Sequence, residues 1–137
     1  MDIVPQTTNM LRDDWDYFAN AIKVVAGKTD ECFTPEQVYD AAVIDDATVF
    51  HVMEDGVKRG VLVLTDHVDM YTRKSVLHVD MVYLTGPSML AGLYESLKAL
   101  ADVHGFNQVE FRSPRKGWFK YLSRAGFKAG ATFSKEF

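Results

Sequence analysis

Two residues of this 137-residue chain combine reactive chemistry with a usable spacing: His78 and Asp80, two apart in the largely apolar run 76–84. Residues two apart in an extended strand share a face, so an imidazole and a carboxylate would stand side by side on one surface of a sheet. If that surface faced a cleft, either group could take a proton from an amine, with burial and the other's charge tuning it to the task. A hydrogen-bonded polar pair satisfied inside the sheet would use the same two residues.

The other chemistry-bearing residues are scattered. His51, His67 and His104 have no metal-ligand spacing with one another, and the single Cys32 has no clustered partner. No metal is therefore assigned, and Cys32 is read as a structural thiol that cannot form an internal disulfide. The stretch 112–120 gathers Arg112, Arg115, Lys116 and Lys120 around Trp118 and Phe119. Such a patch could touch a phosphate, an acidic protein or single-stranded nucleic acid, or it could start a helix with solvated charges. The net charge of −4 argues against nucleic acid as a general partner.

The elements that must position these groups follow from periodicity. Leu11, Trp15, Phe18, Ile22 and Val25 recur at steps of four and three, the spacing of one helical face, up to a stop at Gly27. Thr34, Pro35 and Gln37 supply an N-cap, a first-turn proline and the glutamine of a capping box for a second helix carrying Val38, Ala41, Ala42 and Ile44. The runs 48–53 and 60–64 read as strands paired antiparallel through a turn at Asp55 and Gly56. The run 76–84 is apolar on both faces apart from His78 and Asp80, as a central strand requires.

Thr85, Gly86, Pro87 and Ser88 then punctuate the chain before a long helix carrying Leu90, Leu93, Leu97, Leu100, Ala101 and Val103 to a stop at Gly105. The strand 108–111 should lie parallel to 76–84, because a crossover helix joins them. A short helix with Trp118, Tyr121 and Leu122 on its apolar side ends at Gly126, and a terminal strand closes the chain. With a brief first strand at Asp2–Pro5 the order is β-α-α-β-β-β-α-β-α-β. Residues 1–137 show no repeat or linker and hold 47% apolar residues, so one domain with its own core is expected. No apolar run approaches the roughly 20 residues of a membrane span, and the start lacks the pattern of a signal peptide. A soluble, intracellular protein with no membrane partner is expected.

This order, with the segment Trp118, Phe119, Lys120, Tyr121, Leu122, Ser123, Arg124, Ala125, Gly126, Phe127 and Lys128, resembles the GCN5-related N-acetyltransferase superfamily over almost the whole chain. Arg115, Lys116, Gly117 and Trp118, followed by Leu122 and Gly126-Phe127, look closer still to small acetyltransferase-like proteins of tailed bacteriophages. The resemblance implies an α/β (α+β) fold with a mixed central sheet and helices on both faces, and acetyl-CoA as the acyl donor.

In that superfamily a loop of the form Arg/Gln-x-x-Gly-x-Gly/Ala offers backbone N–H groups at a helix start to the CoA pyrophosphate. Matching the helix through Leu93, Leu97, Ala101 and Gly105 puts Thr85 at the Arg/Gln position, Ser88 at the first glycine and Leu90 at the final small residue. Val82, Leu84, Gly86, Ser88, Met89 and Leu90 are then the implied acyl-CoA contacts, in an eroded loop where Pro87 removes one donor. Many members place a tyrosine, as acid for the departing thiolate, four residues before the Gly-Phe glycine. Leu122 stands there and Tyr121 is one residue, about 100° of helix, away.

The eroded loop and displaced tyrosine imply a non-catalytic or weakly catalytic bacteriophage protein, serving the virion, its assembly or an interaction. Other phage structural proteins or host proteins would be its partners, in the host cytoplasm or the particle. The alternative is an active acyl-CoA-dependent N-acyltransferase with Asp80 and His78 as base and Tyr121 as acid. A third reading is an inhibitor of a host protein, docking through 112–120 or through the acidic Asp13, Asp14 and Asp16.

Overall fold

The computed structural model describes residues 1–28, 33–86, 90–111 and 116–129. Five strands form one sheet in chain order: β1 (Asp2–Pro5), β2 (Thr48–Glu54), β3 (Val57–Val68), β4 (Ser75–Leu84) and β5 (Gln108–Phe111). β1 to β4 pair antiparallel, and β5 pairs parallel with β4. The helices are α1 (Thr8–Asp13), α2 (Trp15–Ala26), α3 (Pro35–Val43), α4 (Leu90–His104) and α5 (Lys116–Arg124). The expected mixed sheet with its parallel crossover through α4 is present. The expected terminal strand lies outside the described residues, as do Cys32 and Arg112 to Arg115. Among the described residues no helix is long and apolar enough to cross a membrane.

Each face of the sheet carries its own core. On one, Phe50, Val52, Leu62, Leu64, Leu77, Val79 and Val82 pack with Leu93, Leu97 and Ala101 of α4. On the other, Val49, Val61, Val63 and Met81 pack with Leu11, Phe18, Ala21, Ile22 and Val25 of α1 and α2. Helices thus cover both faces, and the 3.6-residue periodicity that suggested the first helix reports which of its residues are buried.

That first helix departs from expectation in being two. Thr7 caps α1 by accepting from the Met10 N–H at 3.3 Å. The backbone then leaves helical geometry at Asp14, with φ −122° and ψ 32°. The cause is tertiary: the Asp14 carboxylate makes no capping bond and instead pairs with His51 on β2 and Lys58 on β3. The apolar face continues across the break, which is why periodicity alone did not reveal it.

α3 begins with the expected capping box, Thr34 Oγ1 accepting from the Gln37 N–H at 3.2 Å and Gln37 Oε1 accepting from the Thr34 N–H at 2.9 Å. Ile44 was expected on its apolar side but lies at the C-cap, 67% exposed, because Asp45 at φ 60° has already turned the chain away. The turn between β2 and β3 uses positive φ at both Asp55 (52°) and Gly56 (75°), the conformation a tight two-residue hairpin demands. β3 runs past the expected Leu64 to Val68, carrying Thr65, Asp66 and His67 into the ladder.

Candidate active site at the β4 bulge

The register between β3 and β4 contains one extra residue. Val63 pairs with Met81 but Leu64 pairs with Val79, so Asp80 is inserted into β4 as a bulge. The insertion switches side-chain parity along the strand. Leu77 and Val79 face α4, and so do Val82 and Leu84, whereas Met81 and Tyr83 face α2. Without the bulge Val82 and Leu84 would turn to the α2 face and Met81 and Tyr83 to the α4 face.

Among the described residues β4 and β5 pair only as far as the bulge. Their parallel pairing runs from Val76 with Gln108 to Val79 with Phe111, and β4 continues to Leu84 with no β5 partner among the described residues. Backbone direction in that stretch follows from the ladder on the other side. The Thr85 N–H donates to the Arg59 carbonyl at 2.9 Å, and Gly60 opposes Leu84. Antiparallel pairs alternate between bonded and non-bonded, so Tyr83 and Met81 bond to β3 while the N–H groups of Val82 and Leu84 point the other way. Among the described residues those two amides face no partner strand. Outward-facing backbone donors of an extended strand suit an extended polar chain carrying carbonyl acceptors.

Beside the bulge, on the face opposite α4, four titratable side chains converge from three strands. His78 Nδ1 lies 2.6 Å from Glu110 Oε1 on β5, and His78 Nε2 lies 3.4 Å from Asp80 Oδ1. His67 Nε2 on β3 is 3.7 Å from Glu110 Oε1, with its ring 6.3 Å from that of His78. The row is a consequence of register, since Thr65, His78 and Glu110 are successive cross-strand partners. His78 and Asp80 keep about a fifth of their side-chain surface exposed (20% and 23%), so the group is walled by protein yet reachable by a solute. An imidazole between two carboxylates accepts and passes protons. Among the described residues no group of three His, Cys, Asp or Glu side chains is arranged to hold a metal ion.

A second polar cluster fastens the helix break. His51, only 8% exposed, places Nε2 3.2 Å from Asp14 Oδ2, which also accepts from Lys58. The Phe18 ring lies 4.4 Å and the Tyr17 ring 5.4 Å from the imidazole. Burial lowers the His51 pKa and the Lys58 charge adds to this, against an opposing pull from Asp14. Burial, with the charges of Tyr83 and Asp14, raises that of Tyr17.

The sequence-derived candidates fall as follows. His78 and Asp80 come together, as expected of one strand face. Val82 and Leu84 lie where their amides face the gap, and Gly86 follows in a half-buried bend. Ser88 and Met89 are outside the described residues, and Leu90 opens α4. On α5 Leu122 is buried while Tyr121, one residue round the helix, is half-buried. Glu110 and His67 were not foreseen. Glu110 could have been found by asking which residue of 108–111 shares a face with His78 across a parallel pair, since Val109 and Phe111 must then face α4.

No protein-family model matches the chain, and no curated protein matches it in sequence. Solved structures do match. A ribosomal-protein-alanine N-acetyltransferase from Brucella melitensis biovar Abortus 2308 superposes with a TM-score of 0.75 at 17% identity, covering 100% of both chains. The chain has the N-acetyltransferase fold. A probable acetyltransferase matches this fold at TM-score 0.71 and 15% identity over 100% of this chain and 96% of the other. A putative acetyl transferase from Pyrococcus furiosus does so at 0.68 and 11%, over 98% and 97%. At such identities the likeness concerns the N-acetyltransferase scaffold, and chemistry has to be argued from the residues at the bulge.

Proposed function

We propose that the protein is a weakly catalytic, acyl-CoA-dependent N-acyltransferase, with acetyl-CoA as donor and an amine as acceptor. One observation carries the reading: the Asp80 bulge brings a proton-accepting cluster to the place where β4 and β5 part and the Val82 and Leu84 amides turn outward. The amide-bearing arm of CoA fits those two donors, and the residues present suit that part of the ligand. When bound, the thioester supplies the acyl carbon. The chain's own contribution is to orient it along β4 and to accept a proton at His78 or Asp80 as the amine nitrogen bonds to the carbonyl carbon. The carbon–sulfur bond breaks and the thiolate leaves, taking a proton from solvent or from an acid such as Tyr121.

A thermal-shift titration with acetyl-CoA and CoA, followed by turnover with a panel of amines, tests the proposal. A ligand held only by the folded state adds about 2.7 kcal/mol at 100 times its dissociation constant, which raises melting by several degrees. Saturable stabilisation with measurable acylation supports the reading, and no shift at millimolar ligand rejects it.

A second reading is favoured by the tip of the β3–β4 hairpin, where Val68, Met70 and Tyr71 are 59%, 68% and 87% exposed. Contiguous exposed apolar side chains suit a protein contact. In this reading the fold is kept for its surface, as an assembly or interaction protein of the bacteriophage kind that the α5 segment resembles. Loss of partner binding on Tyr71→Ser, in a protein that neither binds nor turns over acetyl-CoA, would select it.

A further inference from the structure

Resting on the acyltransfer reading, we infer that Glu110 is a positioning residue, which holds His78 in the Nδ1–H tautomer and leaves Nε2 as the atom that receives the amine proton. The two ring nitrogens differ in their contacts. Nδ1 and Glu110 Oε1 are 2.6 Å apart, a distance reached by a charge-assisted hydrogen bond with a proton in place. Nε2 and Asp80 Oδ1 are 3.4 Å apart, beyond the usual N–H···O range, as for a lone pair beside a carboxylate with no proton between them. In neutral imidazole one nitrogen donates and the other accepts, so the Glu110 contact decides the role of both.

The consequence for the reaction is directional. A proton leaving the amine arrives at Nε2, where it can be shared with Asp80, and the ring becomes an imidazolium between two carboxylates. Glu110, whose Oε1 also lies 3.7 Å from Nε2 of the half-exposed His67, keeps the Nδ1 proton in place, and the Nε2 proton leaves to solvent directly or by way of Asp80. The nitrogen–hydrogen bond lost by the amine is balanced by one formed on the ring at Nε2, and the ring returns to its starting tautomer when Nε2 releases that proton. Glu110 touches neither donor nor acceptor in this scheme. It acts through His78, much as a carboxylate fixes the imidazole of a hydrolytic triad.

The test reads the tautomer directly, from the ring nitrogen chemical shifts of His78 in the full-length 15N-labelled protein without ligand. The neutral ring of the wild type is expected to show Nδ1 protonated and Nε2 bare. Glu110→Ala should invert the ring to Nε2–H, donating to Asp80. Glu110→Gln, which keeps an acceptor oxygen, should restore Nδ1–H. A wild-type ring in the Nε2–H form, or an unchanged ring in Glu110→Ala, overturns the inference. In turnover assays Glu110→Ala should lower kcat by at least roughly 10-fold with KM for acetyl-CoA unchanged, and Glu110→Gln should recover part of the loss. Equal kcat in Glu110→Ala and wild type also overturns it. The two readings fail separately: absence of acetyl-CoA binding removes the acyltransferase reading, whereas the ring shifts decide the role of Glu110 without any ligand.

Discussion

Asp14 Oδ2 and His51 Nε2 stand 3.2 Å apart, joining the break between α1 and α2 to the strand beneath it. Burial of the imidazole, opposed by this contact, sets the direction of acid sensitivity. His51 holds its proton less tightly when folded than an exposed imidazole does, chiefly because it is buried. Above the ordinary imidazole pKa of about 6.5 both states are neutral and the residue makes no difference to pH dependence. As pH falls below that value the unfolded chain takes up a proton that the folded one resists, so folding loses stability until the depressed folded pKa is passed. The His51 contribution should therefore stay constant from neutral pH upward, and melting temperature should fall on acidification below about pH 6.5. His51→Gln should flatten that part of the profile. An unchanged slope in the variant would assign the sensitivity to other groups.

Gly60 is expected to tolerate no side chain. A Cβ at this position would lie 2.0 Å from the Tyr83 carbonyl oxygen, a backbone atom held in the β3–β4 ladder. Gly60→Ala should cost at least about 1–3 kcal/mol, the range of an overpacked core, because strands and not a flexible side chain must move. The denaturation midpoint measures this, with the slope of the transition unchanged.

Leu84→Pro separates the donor groove from the fold. The Leu84 N–H points away from β3, so proline removes a gap-facing donor and no ladder bond on that side. The variant should keep its circular dichroism spectrum while losing the acetyl-CoA thermal shift. If the shift survives at wild-type ligand concentration, that amide does not contact the donor.

Asp80→Asn is nearly isosteric and should preserve the bulge, whose register is set by backbone pairing with Val63 and Leu64. Acyl transfer is expected to drop by at least roughly 10-fold, because the Asp80 charge favours the imidazolium formed at His78 Nε2, while acetyl-CoA still stabilises the protein. Wild-type turnover in this variant would exclude Asp80 from proton transfer.

Phe18 offers a stability control outside the His78, Asp80, Glu110 and His67 cluster. It is fully buried and packs on the His51 ring, so Phe18→Ala should cost about 3–5 kcal/mol through lost burial and the cavity left behind. Urea titration checks the magnitude.

What the sequence determined unaided is what neighbours along the chain can decide. The Thr34–Gln37 capping box, the Asp55-Gly56 turn and the stops at Gly105 and Gly126 each depend on residues within about one helical turn or hairpin loop of one another. The burial stripe of Phe18, Ile22 and Val25 and the parallel return of β5 after α4 follow from periodicity and from the geometry of a crossover. His78 and Asp80 were legible as a pair because one strand carries both.

Tertiary structure alone decided the rest. Whether Asp80 pairs or bulges depends on its register against Val63 and Leu64, which no local pattern in 76–84 encodes. Glu110 and His67 reach His78 only because β5 and the polar end of β3 align beside it, and the Asp14 break exists because a carboxylate finds partners on β2 and β3. Those contacts join residues far apart in the chain, and their energy is realised only when the sheet is assembled. The elements were therefore readable from the sequence, while the candidate site they frame was only partly so.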